Sequence, residues 1–121
     1  MKNKLQYTVY LVIQSGTGDL KIEVSSDPGK RLQTLQTGSS THLTMEDILN
    51  YTDKKEAYAF EKLLHNTFTS IRKRGEWFDN ILLNVLADCL YSAEVSETLL
   101  SYTKIDRKLM EEVRNYYQTQ S

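Results

Sequence analysis

Tyr7 and Tyr10, Lys21 and Glu23, Arg31, Glu61 and His65, and Glu76 beside Trp77 are the polar side chains of this sequence that sit at structured positions and whose types could act on a charged substrate. Arginine and lysine neutralise charge on a phosphate, a carboxylate holds a hard divalent cation, and a phenol or imidazole can orient or deprotonate water. Each also has a structural use. Arg31 lies on the polar side of a short segment whose apolar residues are Leu32 and Leu35, and solvation is the ordinary fate of a guanidinium there. Glu61 and His65 are spaced i, i+4, which puts them on one helix face, where they can pair with each other or meet water. Arg72, Lys73 and Arg74 form a basic triplet that reads either as a solvated loop or as a phosphate contact, and Lys30 adjoins Arg31. Trp77 and Phe78 precede an apolar run and are assigned to the core. There is no Gly-rich phosphate loop, no HExxH and no Gly-x-Ser-x-Gly. His42 and His65, the only two histidines, are too far apart in sequence to suggest a histidine-based metal cage.

The elements that must position these side chains follow from periodicity. Leu5 to Gln14 is β-branched and aromatic, and Gly16, Gly18 and Asp19 then mark a turn. Leu20 to Ser25 alternates apolar and polar residues, so the chain opens with a β-hairpin. Asp27 is a helix cap and Pro28 takes the first helical position, where its missing N–H is harmless. That helix is predicted to run to about Gln36, before Gly38, and His42 to Tyr51 is predicted as a third strand. From Asp53, apolar residues at 57, 60, 63, 64, 68 and 71 predict a helix capped by Thr52 or Asp53. Arg72 to Gly75 reads as a basic loop and Phe78 to Tyr91 as a buried helix. Ser92 to Tyr102 and Lys104 to Tyr117 read as two more helices, the last with Ile105, Leu109, Val113 and Tyr116 or Tyr117 on one stripe. The expected fold is α+β: a small three-stranded antiparallel sheet flanked by helices, with a helical C-terminal extension.

Composition bounds the function. At 121 residues, 40% hydrophobic and 26% charged, the chain has the size and composition of one soluble domain. The single Cys89 excludes an internal disulfide and a cysteine-based zinc site and fits a cytoplasmic location. No apolar run is long enough to span a membrane, and the N-terminus does not read as a signal peptide. With 15 basic and 16 acidic residues, the chain does not coat nucleic acid non-specifically. By segment, residues 1–50 carry 5 basic and 5 acidic side chains, 51–85 carry 6 and 5, and 86–121 carry 4 and 6, giving 0, +1 and −2. The acidic surplus lies in the C-terminal part, so any grip on nucleic acid must be local.

In order along the chain stand Thr8-Val9-Tyr10, Lys21-Ile22-Glu23, Asp27-Pro28-Gly29-Lys30-Arg31-Leu32, Leu35-Gln36-Thr37-Gly38, Glu61 to Phe68 (EKLLHNTF) and Gly75-Glu76-Trp77-Phe78. This series resembles the GIY-YIG nuclease superfamily, in particular its phage and bacterial subgroup with a Lys-Ile-Gly second motif and a Gly-Glu-Trp-Phe motif, over about residues 7 to 90. The resemblance implies a nuclease domain over residues 1–90, followed by a helical extension over 91–121 that packs on the domain or on a partner. It implies DNA phosphodiester hydrolysis with Mg2+ or Mn2+. Tyr10 would activate water, Arg31 would stabilise the phosphate and Glu61 would hold the metal. Lys21 would contact phosphate or help lower the pKa of Tyr10, and His65 would line the same cleft. Lys30, Arg72, Lys73 and Arg74 are candidate DNA contacts, and a homodimer through the C-terminal helices is a candidate assembly. Glu23 stands where the second motif ends in glycine; it puts a negative charge by the expected cleft unless a small bulge re-aims it. Asn80 and Asn84 are candidates for an asparagine found late in many relatives. The alternative expectation is a catalytically impaired relative that binds nucleic acid or protein.

Overall fold

Alternation of apolar and polar side chains builds the first hairpin in the computed structural model, which describes residues 5–92 and 95–120. Strand β1 (Tyr7–Gln14) pairs antiparallel with β2 (Leu20–Ser25) in an unbroken register in which Tyr10 faces Glu23. Helix α1 (Pro28–Thr37) follows, with the Asp27 side chain accepting from the Lys30 N–H and proline at the N-terminal turn. Strand β3 (Leu43–Tyr51) lies on the other side of β1. The register slips by one residue between Val9 and Tyr10, leaving Ile48 as the extra residue of a bulge. The distortion expected at Glu23 therefore sits instead in the β1–β3 pair beside Tyr10, where it changes the local aim of the strand.

Asp53 caps α2 (Lys54–Thr67) by accepting from the Lys55 N–H, and a short 3-10 turn continues to Ile71. The segment read as a basic loop is a strand, β4 (Arg72–Arg74), which forms a tight hairpin with β5 (Trp77–Phe78). Gly75 adopts φ +57, as the first central residue of such a two-residue loop requires. The sheet order is β3-β1-β2-β5-β4, so the three expected strands are joined by two very short ones. Trp77 and Phe78 belong to β5, and α3 (Ile81–Tyr91) starts three residues later than periodicity suggested.

The helix expected from Ser92 is α4 (Glu97–Thr103), with Ser96 as its cap; residues 93 and 94 lie outside the described residues. Helix α5 (Arg107–Gln120) closes the chain.

The two faces of the sheet carry unequal cores. Val9, Leu11, Leu20, Ile22 and Val24 point to a large cluster with Phe60 and Leu64 of α2, Leu82 and Val85 of α3, and Met110 and Val113 of α5. Tyr10, Val12 and Leu43 form a small cluster beneath Leu32 and Leu35 of α1 and beside Trp77. The C-terminal stripe is thus spent inside the chain: Val113 is fully buried, and Tyr116 stacks on Phe60 with ring centroids 5.3 Å apart. Among the described residues no helix is long and apolar enough to cross a membrane.

Cys89 is buried against α5, its thiol 3.2 Å from the Met110 carbonyl oxygen. Burial pushes the thiol up to about 11, and the thiolate is the reactive form. Native protein at about pH 8 is expected to leave Cys89 unreacted with a disulfide reagent such as DTNB. One equivalent should react after unfolding in urea, and fast labelling of the folded chain would contradict this packing.

Candidate functional site

The short length of β5 shapes the site. Leu20 pairs with Phe78, but Ile22 to Ser25 have no partner strand on that side. The free edge of β2 is met instead by α2, which lays Tyr58, Glu61, Lys62 and His65 over it as i, i+3, i+4 and i+7 of one helix face. These four residues, with Ile22, Glu23 and Glu76, line an open cavity of about 440 Å3. Tyr58 was not singled out from the sequence, although its spacing from Glu61 and His65 places it on the same face.

His65 fixes the register of helix on strand. Its Nε2 lies 3.2 Å from the Ile22 carbonyl oxygen, and its ring meets Phe78 edge-on at 5.4 Å. A carbonyl oxygen only accepts, so Nε2 is the donor in this contact. One turn earlier, the Glu61 carboxyl is pushed up to about 7 by burial first, then by repulsion from Glu23 and Glu76. Buried carboxylates crowded by like charge favour either a proton or a cation.

Arg31, on the first turn of α1, faces Glu23 with 3.6 Å between guanidinium and carboxylate. Lys21 lies 3.8 Å from Glu76 and 5.2 Å from the centre of the Trp77 ring. Both ion pairs are loose and partly exposed, and pairs of that kind contribute about 0.2–1 kcal/mol, so a phosphate can compete for either cation. The Gly75 turn is what brings Glu76 to Lys21.

Tyr10, opposite Glu23 on β1, belongs to the small cluster beneath α1 and does not line this cavity. Its side chain is fully buried, and its hydroxyl has no hydrogen-bond partner among the described residues. Its pKa is pushed up to about 12, by burial first and then by Glu23; Arg31 opposes this, while Glu61 and Asp47 add to it. At neutral pH Tyr10 is therefore a phenol, and the lowering expected from neighbouring cations does not prevail. An unpaired buried hydroxyl costs about 1–3 kcal/mol, and Tyr51 carries a second one in the larger core.

Of the residues singled out from the sequence, Glu61 and His65 line the cavity, Arg31 and Lys21 reach it through its lining residues Glu23 and Glu76, and Tyr10 stays outside its lining. Lys30 is exposed on α1, and Arg72, Lys73 and Arg74 are exposed on the β4–β5 hairpin. Lys73 pairs with Asp19 at 3.3 Å, and Arg72 donates from Nε to the Gly75 carbonyl at 2.6 Å. Asn80 donates to the Thr17 carbonyl at 3.2 Å and packs against Gly18, and it does not line the cavity.

Among the described residues no three acidic, histidine or cysteine side chains are grouped closely enough to hold a metal by themselves. Magnesium does not need such a cage: it keeps several waters and takes one or two carboxylates together with phosphate oxygens. Glu61, a half-buried oxygen donor destabilised as an anion, fits that manner of binding.

The profile of the T5orf172 domain, a domain found in phage and nuclease-related proteins, matches residues 7–99. No curated protein and no solved structure matches the chain.

Proposed function

The chain belongs to the T5orf172 domain family, and from that membership and the cleft at the free edge of β2 we propose that it is a divalent-metal-dependent endonuclease of GIY-YIG type acting on DNA. The observation that carries this reading is the meeting of Arg31, Glu61 and the unpaired Tyr10 hydroxyl around Glu23.

Arg31 would bind a non-bridging oxygen of the phosphodiester, leaving Glu23 as it does so, and Lys21 would leave Glu76 to hold a neighbouring oxygen. The planar guanidinium suits a phosphate by offering two parallel donors. Tyr10, protonated, would orient the attacking water through its hydroxyl. His65 would keep Glu61 in place by clamping α2 to the Ile22 carbonyl. Glu61 would hold Mg2+ or Mn2+, which supplies Lewis-acid neutralisation of the phosphate when bound.

The test is conversion of supercoiled plasmid to nicked or linear form with Mg2+ or Mn2+ and with EDTA. Metal-dependent conversion supports the proposal. Binding of the plasmid without conversion under either metal supports the second reading, a catalytically impaired nucleic-acid-binding module. That second reading is favoured by one observation, the Glu23 carboxylate resting on Arg31 at 3.6 Å.

Glu23 also yields a graded prediction. Glu23→Gly removes the partner of Arg31 and one of the charges repelling a phosphate, and the cleavage rate is expected to rise by up to about fivefold, matching the roughly 1 kcal/mol ceiling of a partly exposed pair. A fall in rate at saturating metal would mean that Glu23 serves the reaction.

A further inference from the structure

The β4–β5 hairpin has a second side. Glu76 on its turn faces the cleft, while Arg72 and Lys73 line another groove, of about 630 Å3, whose far wall is the end of α4 with Tyr102 and Lys104. The Ser70 hydroxyl donates to the Thr103 carbonyl at 2.6 Å and pins that wall to the 3-10 turn preceding β4.

Three features of the groove have no packing role. Lys104 ends α4 in the left-handed region at φ 59 and ψ 29, its N–H donating to the Leu100 carbonyl. Glycine is the usual residue at such a helix end, because a side chain strains the backbone there, and strain of this kind collects at functional positions. Among the described residues no carboxylate lies within ion-pairing distance of Lys104. Tyr102 is 76% exposed, an unusual position for a tyrosine that neither packs nor forms a hydrogen bond. The only carboxylate in the lining, Asp79, is engaged by the Ile81 N–H at 3.0 Å. Arg72, Lys73 and Lys104 therefore outnumber the single carboxylate of the lining, with Lys73 also paired to Asp19 and the Asn80 amide engaged by the Thr17 carbonyl.

We infer that this groove holds the phosphodiester backbone of DNA flanking the cleft, with Arg72 and Lys104 as phosphate contacts and the Tyr102 hydroxyl as a further donor. The inference rests on DNA being the substrate, as proposed above. Cation and hydroxyl contacts of this kind set the position of DNA without reading its sequence. Tyr102 and Lys104 lie beyond residues 7–99, so this part of the grip belongs to the C-terminal helices of this chain.

Lys104→Gly provides the test, because it removes the charge while relieving the backbone. Binding of a fluorescein-labelled 30-base-pair duplex is followed by anisotropy in EDTA over a range of salt, with Lys55→Ala, an exposed charge on α2, as the matched control. Lys104→Gly is expected to weaken binding about threefold or more and to lower the slope of log affinity against log salt by about 0.9, the share of a single neutralised phosphate. Its melting temperature should equal or exceed that of the wild type, and Lys55→Ala should leave the slope unchanged. An unchanged slope in Lys104→Gly, an equal change in Lys55→Ala, or a wild type that does not bind the duplex would each overturn the inference. Wild-type plasmid cleavage, measured separately, distinguishes the two claims. Cleavage with an unchanged Lys104→Gly slope removes the groove and keeps the nuclease; the altered slope without cleavage keeps the groove and removes the nuclease.

Discussion

Arg31→Ala and Glu61→Gln are each expected to lower the DNA-cleavage rate by about 10²–10³-fold, the usual effect of removing one preorganised electrostatic group from a reaction centre. Neither should unfold the protein. The Arg31 side chain is 44% exposed and makes one loose ion pair, and surface changes of this sort usually alter stability by less than about 0.5 kcal/mol. Arg31→Lys should recover only part of the rate, since an ammonium is a point charge and cannot offer two parallel donors.

Glu61→Gln should go further and raise the thermal stability of the metal-free protein at neutral pH. The sign follows from its pKa. A carboxyl raised to about 7 from an ordinary 4.5 stabilises the fold fully below the unfolded value, and that contribution is lost as pH rises through 7. The neutral amide has the shape of the acid and escapes this loss. A variant that melts higher and cuts less is the mark of a residue retained for chemistry. If Glu61→Gln cuts as fast as the wild type, Glu61 does not hold the metal; if Arg31→Ala does so as well, the cutting belongs to another protein in the sample. Circular dichroism melts in EDTA, alongside plasmid assays, provide both measurements.

Removal of residues 105–121 is expected to abolish cooperative folding. The family match ends at residue 99, which makes the last helix look dispensable; the packing says otherwise. Ile105, Met110 and Val113 are buried in the same cluster as the sheet's inner face. Tyr116 covers Phe60 and its hydroxyl donates to the Glu56 carbonyl at 3.1 Å. Arg114 donates to the Cys89 carbonyl at 2.7 Å, closing the end of α3. At about 1.5–3 kcal/mol for each of three buried side chains, the loss is about 5–9 kcal/mol, comparable to the roughly 5–15 kcal/mol that holds a whole domain together. The shortened chain should lack near-UV circular dichroism and show no cooperative thermal transition. A sharp transition within a few degrees of the full chain would mean that α5 is an appendage. Val113→Asp, a single change at the centre of the seam, should produce a large part of the same loss.

The elements that could be read in the sequence are those with a strong local signal. Asp27 and Asp53 announce their helices by side-chain caps, and both accept the expected backbone N–H groups. Strands β1, β2 and β3 were legible from β-branched content and alternation. Strands β4 and β5, of three and two residues, are too short to show any period, so Arg72 to Gly75 reads as a loop and Phe78 as the start of the next helix. Met110 escaped the α5 stripe and is buried at 3% exposure, while Leu109 is only partly buried; a one-residue rotation of a helix cannot be settled from spacing alone.

The site was legible as a set of residue types but not as an electrostatic arrangement. Nothing in the order of residues announces that Glu23 would face Arg31, that Tyr10 would be driven upward by burial instead of downward by cations, or that Tyr58 would wall the cleft. Those facts depend on which side of β2 is left without a partner.

That missing partner has a consequence for the life of the protein in a crowded solution. A strand with unpaired backbone groups is a template on which another strand can be laid, and proteins that leave one uncovered tend to associate edge to edge. His65, by taking up the Ile22 carbonyl, closes the middle of that template with a side chain, and the charges of Lys21 and Glu23 guard its flanks. The open side of β2 is thereby kept from recruiting a second sheet. Loss of the imidazole would uncover that template and favour edge-to-edge association.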